Sequence, residues 1–371
     1  MKIGILTFHR AENFGAVLQC YALQTYLESQ GYSVKVIDYR CPAIEQTYDL
    51  FNLRLFFQRW NIFASFQVYI NRLYQWKDRL NKKKGYISFR NKYLHLTKSI
   101  FNIKKDLGFD IYITGSDQVW NTSLLHGLNK VYFLDFPMST NAKRISYAVS
   151  SETKAIDKLD QFGLYLKYAL ERFDSISVRE DVLAEKLRKY TSKYIYTCID
   201  PTFLISKDKY LQLAQKPKEK NYILVYHMAE IPEGTAIAEH IARKNGFSII
   251  EIHARFANRK DNNRHKQNVG PLELLGYIAY ANIIITTSFH GLALSLIFEK
   301  NFYVISKPNN LRLKSLLDKI GLENRLISSF DEIKNTCIDY KTTTKLIHKL
   351  SESSKQYIIS SIKNENSILY T

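Results

Sequence analysis

The chain has 371 residues, 46% of them hydrophobic, and a formal net charge of +18; the length accommodates two domains of ordinary size, and the composition is that of a soluble globular protein. Four cysteines (Cys20, Cys41, Cys198 and Cys337) stand far apart with no C-x-x-C pair, which argues against a disulfide framework or a zinc site, and no metal is expected. Most of the excess charge lies between Glu45 and Lys105, where 13 basic residues face three acidic ones for a net +10, so an acidic partner is implied: anionic lipid, phosphorylated substrate or nucleic acid.

Met1 to Arg10 is too short for a signal-peptide core and lacks a cleavage site, so a cytoplasmic location is expected. Ile3 to Phe8 reads as a first buried strand, His9 to Asn13 as a polar loop, and Ala16 to Ser29 as a helix that Gly31 stops. Ser33 to Asp38 returns as a second strand, completing a βαβ unit. The loop reads Asn13-Phe14-Gly15 and not G-x-G-x-x-G, so the dinucleotide fingerprint is absent. Asn13 and Gly15 either line a ligand site or cap the helix. From Thr47 to Ile100 the α/β rhythm breaks. Nine aromatics fall between Phe51 and Trp76, with Trp60, Phe63, Ile70 and Leu73 at helical spacing and Arg59 and Arg72 interleaved. This helical insertion, about residues 47–105, either packs on the main body or meets an anionic membrane surface. No RNA- or DNA-binding motif supports a nucleic-acid partner.

Asp110 to Thr114 is another short strand, running into Gly115, Ser116, Asp117 and Gln118. That turn is either a cap with a packed Trp120 or a place where Asp117 and Gln118 meet sugar hydroxyls. Arg144 to Val149 ends in Ser150, and Asp174 to Val178 ends in Arg179 and Glu180. An arginine at a strand's carboxyl end suits bidentate recognition of phosphate or carboxylate, the alternative being a surface charge pair. Tyr194 to Ile199 followed by Asp200-Pro201-Thr202 reads as a turn and a domain boundary. The expected domains are 1–205 and 206–371. The second restarts with strand Tyr222 to His227, helix Glu233 to Asn245 and strand Phe247 to Ile252, and it ends in a polar, helical tail. A basic loop, Ala257 to Gln267, precedes a helix from Leu272 to Tyr280; later come a strand from Asn301 to Ile305 and a helix from Leu311 to Ile320.

Between those pieces lies the densest chemistry. Ile283 to Ile285 form a β-branched run, Thr286, Thr287 and Ser288 follow, and Phe289, His290 and Gly291 open the apolar helix Leu292 to Phe298. A transmembrane reading of Leu274 to Phe298 fails because polar residues and glycines interrupt the run. In open α/β sheets ligands bind at the carboxyl ends of strands, where helix N-termini present unpaired N–H groups. His290 is there either a hydrogen-bonded core residue or a candidate for acid/base work.

Four segments in this order, N-F-G-A-V-L-Q (13–19), G-S-D-Q-V-W-N (115–121), D-P-T-F-L (200–204) and T-S-F-H-G-L-A-L-S (287–295), resemble the polysaccharide pyruvyl transferase family over roughly residues 1–310. After Ser150 the chain departs from the family pattern, carrying Ser151 and Glu152 where an aromatic and a glycine are expected. The resemblance implies an α/β protein of two Rossmann-like domains facing across a cleft, similar to the GT-B arrangement. It implies transfer of a pyruvyl group from phosphoenolpyruvate, the co-substrate with no further cofactor, to a sugar diol of a capsule or exopolysaccharide or of its lipid-linked oligosaccharide precursor. It ties His290 and Arg179 to phosphoenolpyruvate. The reading of the residues adds Asp117 for the acceptor and Asn13, Gly15, Ser116, Gln118, Ser150, Ser288 and Gly291 as lining, with peripheral contact to the inner face of an anionic membrane. Two other readings stay open: a GT-B glycosyltransferase using a nucleotide sugar, against which no E-x7-E pair occurs in the second half, and a membrane-bound scaffold without catalysis.

Overall fold

The computed structural model describes residues 1–48, 76–254, 263–305, 311–333 and 337–364. The aromatic stretch expected to form the amphipathic core of the insertion, and the centre of the basic loop 257–267, therefore lie outside the described residues, apart from Trp76 and the loop's end.

Two six-stranded parallel sheets form the frame. The first contains β1 (Lys2–Leu6), β2 (Ser33–Val36), β3 (Ile111–Asp117), β4 (Lys143–Val149), β5 (Ser175–Val178) and β6 (Ile195–Thr197), in the order β2-β1-β3-β4-β5-β6. The second contains β7 (Tyr222–His227), β8 (Ser248–His253), β9 (His265–Lys266), β10 (Ile283–Thr286), β11 (Asn301–Ile305) and β12 (Leu326–Ile327), in the order β12-β11-β10-β7-β8-β9. Counted within its own lobe, that is the 3-2-1-4-5-6 order of a dinucleotide-binding sheet, with the switch point between β7 and β10. Central strands such as β3 and β10 are apolar on both faces, as a parallel sheet covered by helices requires. The strands expected from sequence are present to within a few residues. The two-residue β9 and β12 were not expected, being too short for any periodicity to show.

Helices cover the sheets: α1 (Phe14–Ser29), α2 (Pro42–Thr47), α3 (Trp76–Tyr93), α4 (Thr153–Asp157), α5 (Gly163–Glu171), α6 (Asp181–Leu187), α7 (Lys207–Leu213), α8 (Pro232–Asn245), α9 (Pro271–Tyr280), α10 (Phe289–Ile297), α11 (Leu311–Lys319) and α12 (Tyr340–Lys363). Among the described residues no helix is long and apolar enough to cross a membrane.

The two lobes share a core. Phe14, Val17 and Leu18 of α1, with Tyr86 and Phe89 of α3, belong to the apolar cluster otherwise built from the second sheet and its helices. Buried Lys82 donates to the carbonyls of His253 (3.3 Å) and Ala254 (3.1 Å) at the end of β8. Gly85 lies so close to Gly270 that a Cβ there would stand 3.2 Å from its Cα. In the opposite direction, α12 leaves the second lobe and completes the first. Tyr357, Ile358 and Ile362 pack with residues of β1, β3 and β4, the Tyr357 hydroxyl donates to Ser146 O (2.9 Å), and Lys143 Nζ donates to Ile362 O (2.6 Å).

Candidate active site

The site is assembled where the carboxyl edges of the two sheets meet. On the first sheet β3 ends in Gly115, Ser116 and Asp117. Gly115 has φ +105°, and a Cβ on it would lie 2.4 Å from Tyr147 O, so only glycine lets β3 and β4 run this close. Ser116 is fully buried; its hydroxyl donates to Ala148 O (2.7 Å) and accepts from Arg179 Nη2 (2.6 Å). Behind it, Gln19 Nε2 donates to Thr7 Oγ1 (2.8 Å), which donates to Ser116 O (2.9 Å). Arg179 follows β5 and keeps its backbone in the sheet, its N–H bonding Val149 O at 2.8 Å. A serine anchored on two strands therefore fixes the guanidinium.

Asp200 joins the lobes. It is fully buried, its Oδ1 accepts from Thr202 N (2.9 Å) and Thr202 Oγ1 (2.7 Å), and its Oδ2 lies 2.6 Å from Arg179 Nη2 and 3.5 Å from His290 Nε2. Burial alone would push the carboxyl upward, but the Arg179 guanidinium, and after it His290, hold it well below the usual carboxylate range. His290 and Arg179 are thus brought together through one carboxylate. Arg179 also lies over the Phe289 ring, 4.7 Å from its centroid, so the residue next to His290 carries the guanidinium's flat face.

His290 sits in the first turn of α10, with Ser288 as N-cap accepting from Gly291 N (3.3 Å). Its imidazole rests on α1: a Cβ on Gly15 would lie 1.9 Å from His290 Nδ1. The ring is therefore held between Gly15 on one side and Asp200 on the other, with Nε2 directed to the Asp200 carboxylate.

Several buried groups here have no hydrogen-bond partner among the described residues: Arg179 Nε and Nη1, His290 Nε2, Ser151 Oγ, and the carboxylate oxygens Asp200 Oδ2 and Glu180 Oε2. Leaving polar groups desolvated and unpaired costs free energy, and the spare donors among them, Arg179 Nε and Nη1, are available to an anion. Ser150 donates to Glu180 Oε1 (2.7 Å), and burial pushes the Glu180 carboxyl up against the pull of Arg179. Arg179 and Glu180 are 6% and 3% exposed, so they are not the surface pair that sequence left open. A second guanidinium comes from the other lobe: Arg312, on α11, has Glu180, Arg179, Asp117 and Glu152 as its charged neighbours.

The remaining sequence candidates divide. Asp117, at φ +71°, is half-buried at the end of β3, and its carbonyl accepts from Ser150 N and Val119 N (both 2.9 Å); it is one of the charged neighbours of Arg312. Gln118 Oε1 accepts from Asn121 Nδ2 (2.5 Å) within its own turn. Asn13 caps α1, its Oδ1 accepting from Ala16 N (3.3 Å). Gly291 leaves no room for a side chain, since a Cβ would lie 2.2 Å from Thr286 Oγ1. Trp120 is packed, stacked on Phe133 at 4.8 Å and donating to Tyr132 O (3.0 Å). Two functional candidates were missed from sequence, Asp200 and Arg312. Asp200 stood in the D-P-T-F-L segment but was read as a boundary turn.

Among the described residues one group of potential metal ligands lies together: His227, Glu251 and His253 at the ends of β7 and β8. His227 Nε2 and Arg264 Nε both donate to Glu251 (2.7 Å each), and the His227 and His253 rings are parallel to within 5°. Parallel ring planes do not aim two nitrogen lone pairs at one ion, so this group reads as a hydrogen-bond network, in which His227 Nδ1 alone lacks a hydrogen-bond partner among the described residues.

A sequence model described as polysaccharide pyruvyl transferase matches residues 13–307. No curated protein matches the chain in sequence. Among solved structures, a protein described as a UDP-N-acetylglucosamine 2-epimerase of Listeria monocytogenes is similar at 11% identity and TM-score 0.50, over 98% of this chain and 96% of that one. S. aureus MnaA, in a co-structure with UDP, is 12% identical at TM-score 0.44 over 100% and 96% of the two chains. E. coli heptosyltransferase WaaC with ADP is 11% identical at TM-score 0.38 over 94% and 100%. The likeness is one of fold: two Rossmann-like lobes in the GT-B arrangement.

Proposed function

The chain belongs to the polysaccharide pyruvyl transferase family, and from that premise we propose that it moves the pyruvyl group of phosphoenolpyruvate to a sugar diol of a cell-surface polysaccharide or of its lipid-linked precursor, forming a pyruvate ketal and phosphate. The observation that carries the reading is the buried set of unpaired nitrogens on Arg179 and His290, gathered around one carboxylate and facing Arg312. A small trianion would satisfy those groups, and its charge would be met from both lobes.

The chemistry follows from the enol ester. Protonation at C3 makes C2 electrophilic; one sugar hydroxyl adds to C2, phosphate leaves with the C2–O electrons, and the second hydroxyl closes the ketal, releasing its proton. His290, whose Nε2 has no hydrogen-bond partner, delivers the proton to C3 and recovers one from an attacking hydroxyl. Arg179, its Nη2 held by Ser116 and Asp200, offers Nε and Nη1 to phosphate or carboxylate, and Arg312 shares that charge. Asp117, at the open side, orients the acceptor diol.

His290→Ala should lower turnover about 100-fold or more, the scale of one acid/base contribution, measured as phosphate release with phosphoenolpyruvate and lipid-linked sugars. Wild-type turnover in that variant together with loss in Arg179→Ala would remove the proton role. Protection from thermal unfolding by phosphoenolpyruvate but not by nucleotide sugars distinguishes this reading from a glycosyltransferase.

A further inference from the structure

A second cationic site lies beside the first. At the carboxyl ends of β1 and β2 the first lobe encloses a recess of about 410 Å³, lined by Arg10, Arg40, Lys83 and Arg90, with Tyr48 and Phe101 among its walls. We propose that this recess holds a phosphate ester, single or as a diphosphate, carried by the glycan acceptor. The inference rests on the transfer reading above and adds the class of acceptor.

Two of the four cations are built into position. Arg10 makes a fork with Asp38, Nε to Oδ1 at 2.6 Å and Nη2 to Oδ2 at 2.7 Å, while buried His9 Nε2 meets the same Oδ1 at 2.8 Å. Arg40 makes a fork with Glu45, at 2.8 and 2.6 Å, and its flat face lies 4.7 Å from the Phe101 centroid. Their orientation is therefore set before any ligand arrives, which lowers the entropy lost on binding.

The other two cations come from α3. Positions 83 and 90 are seven apart, two turns, and so share one face of the helix, while Lys82, Tyr86 and Phe89 are buried on the side turned to the second lobe. Arg90 is half-buried, and its guanidinium makes no hydrogen bond or ion pair with any described residue. Glu12 has Lys83, Lys82, Arg90 and Arg79 as charged neighbours, and Lys83 Nζ is 4.0 Å from it. With Asp38, which Arg10 forks, the recess sets four cations against three carboxylates, Glu12, Asp38 and Glu45. Arg90 is the surplus charge, and its unspent guanidinium, beside three cations already paired with carboxylates, fits an incoming phosphate and repels a further cation.

Position ties the recess to the transfer reaction. The loop that gives it Arg10 and Glu12 continues to Gly15, against which the His290 imidazole rests. Five residues separate Arg10 from Gly15, so the two places lie within about 18 Å even if that loop were extended. An acceptor anchored by its phosphate in the recess would extend its sugars toward the cleft.

The test has a binding arm and a turnover arm. Inorganic pyrophosphate is titrated calorimetrically into the full chain, into Arg90→Gln and into Lys83→Gln, with His290→Gln as a donor-site control and circular dichroism to confirm folding. Each recess variant should weaken the pyrophosphate affinity about tenfold, whereas His290→Gln should retain it. Affinity unaffected by both recess variants would overturn the proposal. In the turnover arm the acceptor is offered as glycan diphosphate on lipid, as lipid-free glycan phosphate and as neutral glycan. In Arg90→Gln the KM for the phosphorylated glycans relative to the neutral one should rise about tenfold; equal KM changes for all three would sink the assignment. If only the lipid-borne form responds, the phosphate is that of the carrier linkage; if both respond, it is recognised for itself. Failure of phosphoenolpyruvate turnover in wild type would count against the transfer reading while leaving the pyrophosphate result standing.

Discussion

Asp200 is the residue on which the candidate site depends most. Replacing it with Asn removes the carboxylate that neutralises a buried guanidinium, and breaking a buried pair from one side costs about 3–5 kcal/mol. Asp200→Asn should lower the unfolding midpoint in denaturant by a corresponding amount and reduce phosphate release, since Arg179 and His290 both lose their common neighbour. Gly15→Ala asks a narrower question. The added methyl would fall 1.9 Å from His290 Nδ1, so the ring must swing away. Turnover should drop at least about tenfold while far-UV circular dichroism is retained; a fully active variant would mean that the imidazole does not act from this position. His290 and Arg179 were legible in sequence because each follows a short apolar strand. Asp200 was not, because an Asp-Pro-Thr turn has the same local signature on the surface as in the interior, and only the tertiary fold buries it. Arg312 was hidden differently: Leu313, Leu316 and Leu317 account for its helix as an amphipathic one, and the residue before the first leucine reads as solvated flank.

At the scale of elements, α3 does two things with two faces. Its apolar face and Lys82 join the lobes, and its basic face borders the recess. Burial pushes the Lys82 ammonium down to about 8, against the opposing pull of Glu12. Above that pH the folded chain has released the proton, whereas the unfolded chain keeps it until about 10.4. The unfolded state then binds more protons, so this group's contribution to stability increases with pH between those values. Comparing wild type with Lys82→Met across pH 8 to 10 by chemical denaturation should show that increase in the wild type and its absence in the variant. The strands were readable because a parallel sheet covered on both faces writes itself as apolar runs, β7 and β11 to the residue. The role of α3 was not, since a Lys-rich segment such as residues 82–84 looks like a solvated surface until the partner that buries Lys82 is known.

The lobes of this molecule are not two beads on a linker. Helices α1 and α3 extend the core of the second lobe, and α12 returns to finish the first. An interface this apolar favours small sliding movements over wide opening. The net charge of +18 supports a peripheral seat on an anionic bilayer, and sedimentation should show binding to vesicles containing acidic lipid, none to zwitterionic ones, and release as salt is raised. Retention at high salt would assign the contact to apolar insertion instead. Tyr357→Ala should cost about 3–5 kcal/mol, read by denaturant unfolding, because it empties a fully buried position and removes one of the two hydroxyls that donate to Ser146 O.

The place of α12 also has a consequence during synthesis. Residues of α12 cover strands β1, β3 and β4, so the first lobe can close only after α12 has been synthesised. Until then the nascent chain displays an uncovered sheet face to the surrounding medium, a natural target for holding chaperones. A chain cut before Tyr340 would never conceal that face and should be cleared by proteolysis, however intact its candidate-site residues.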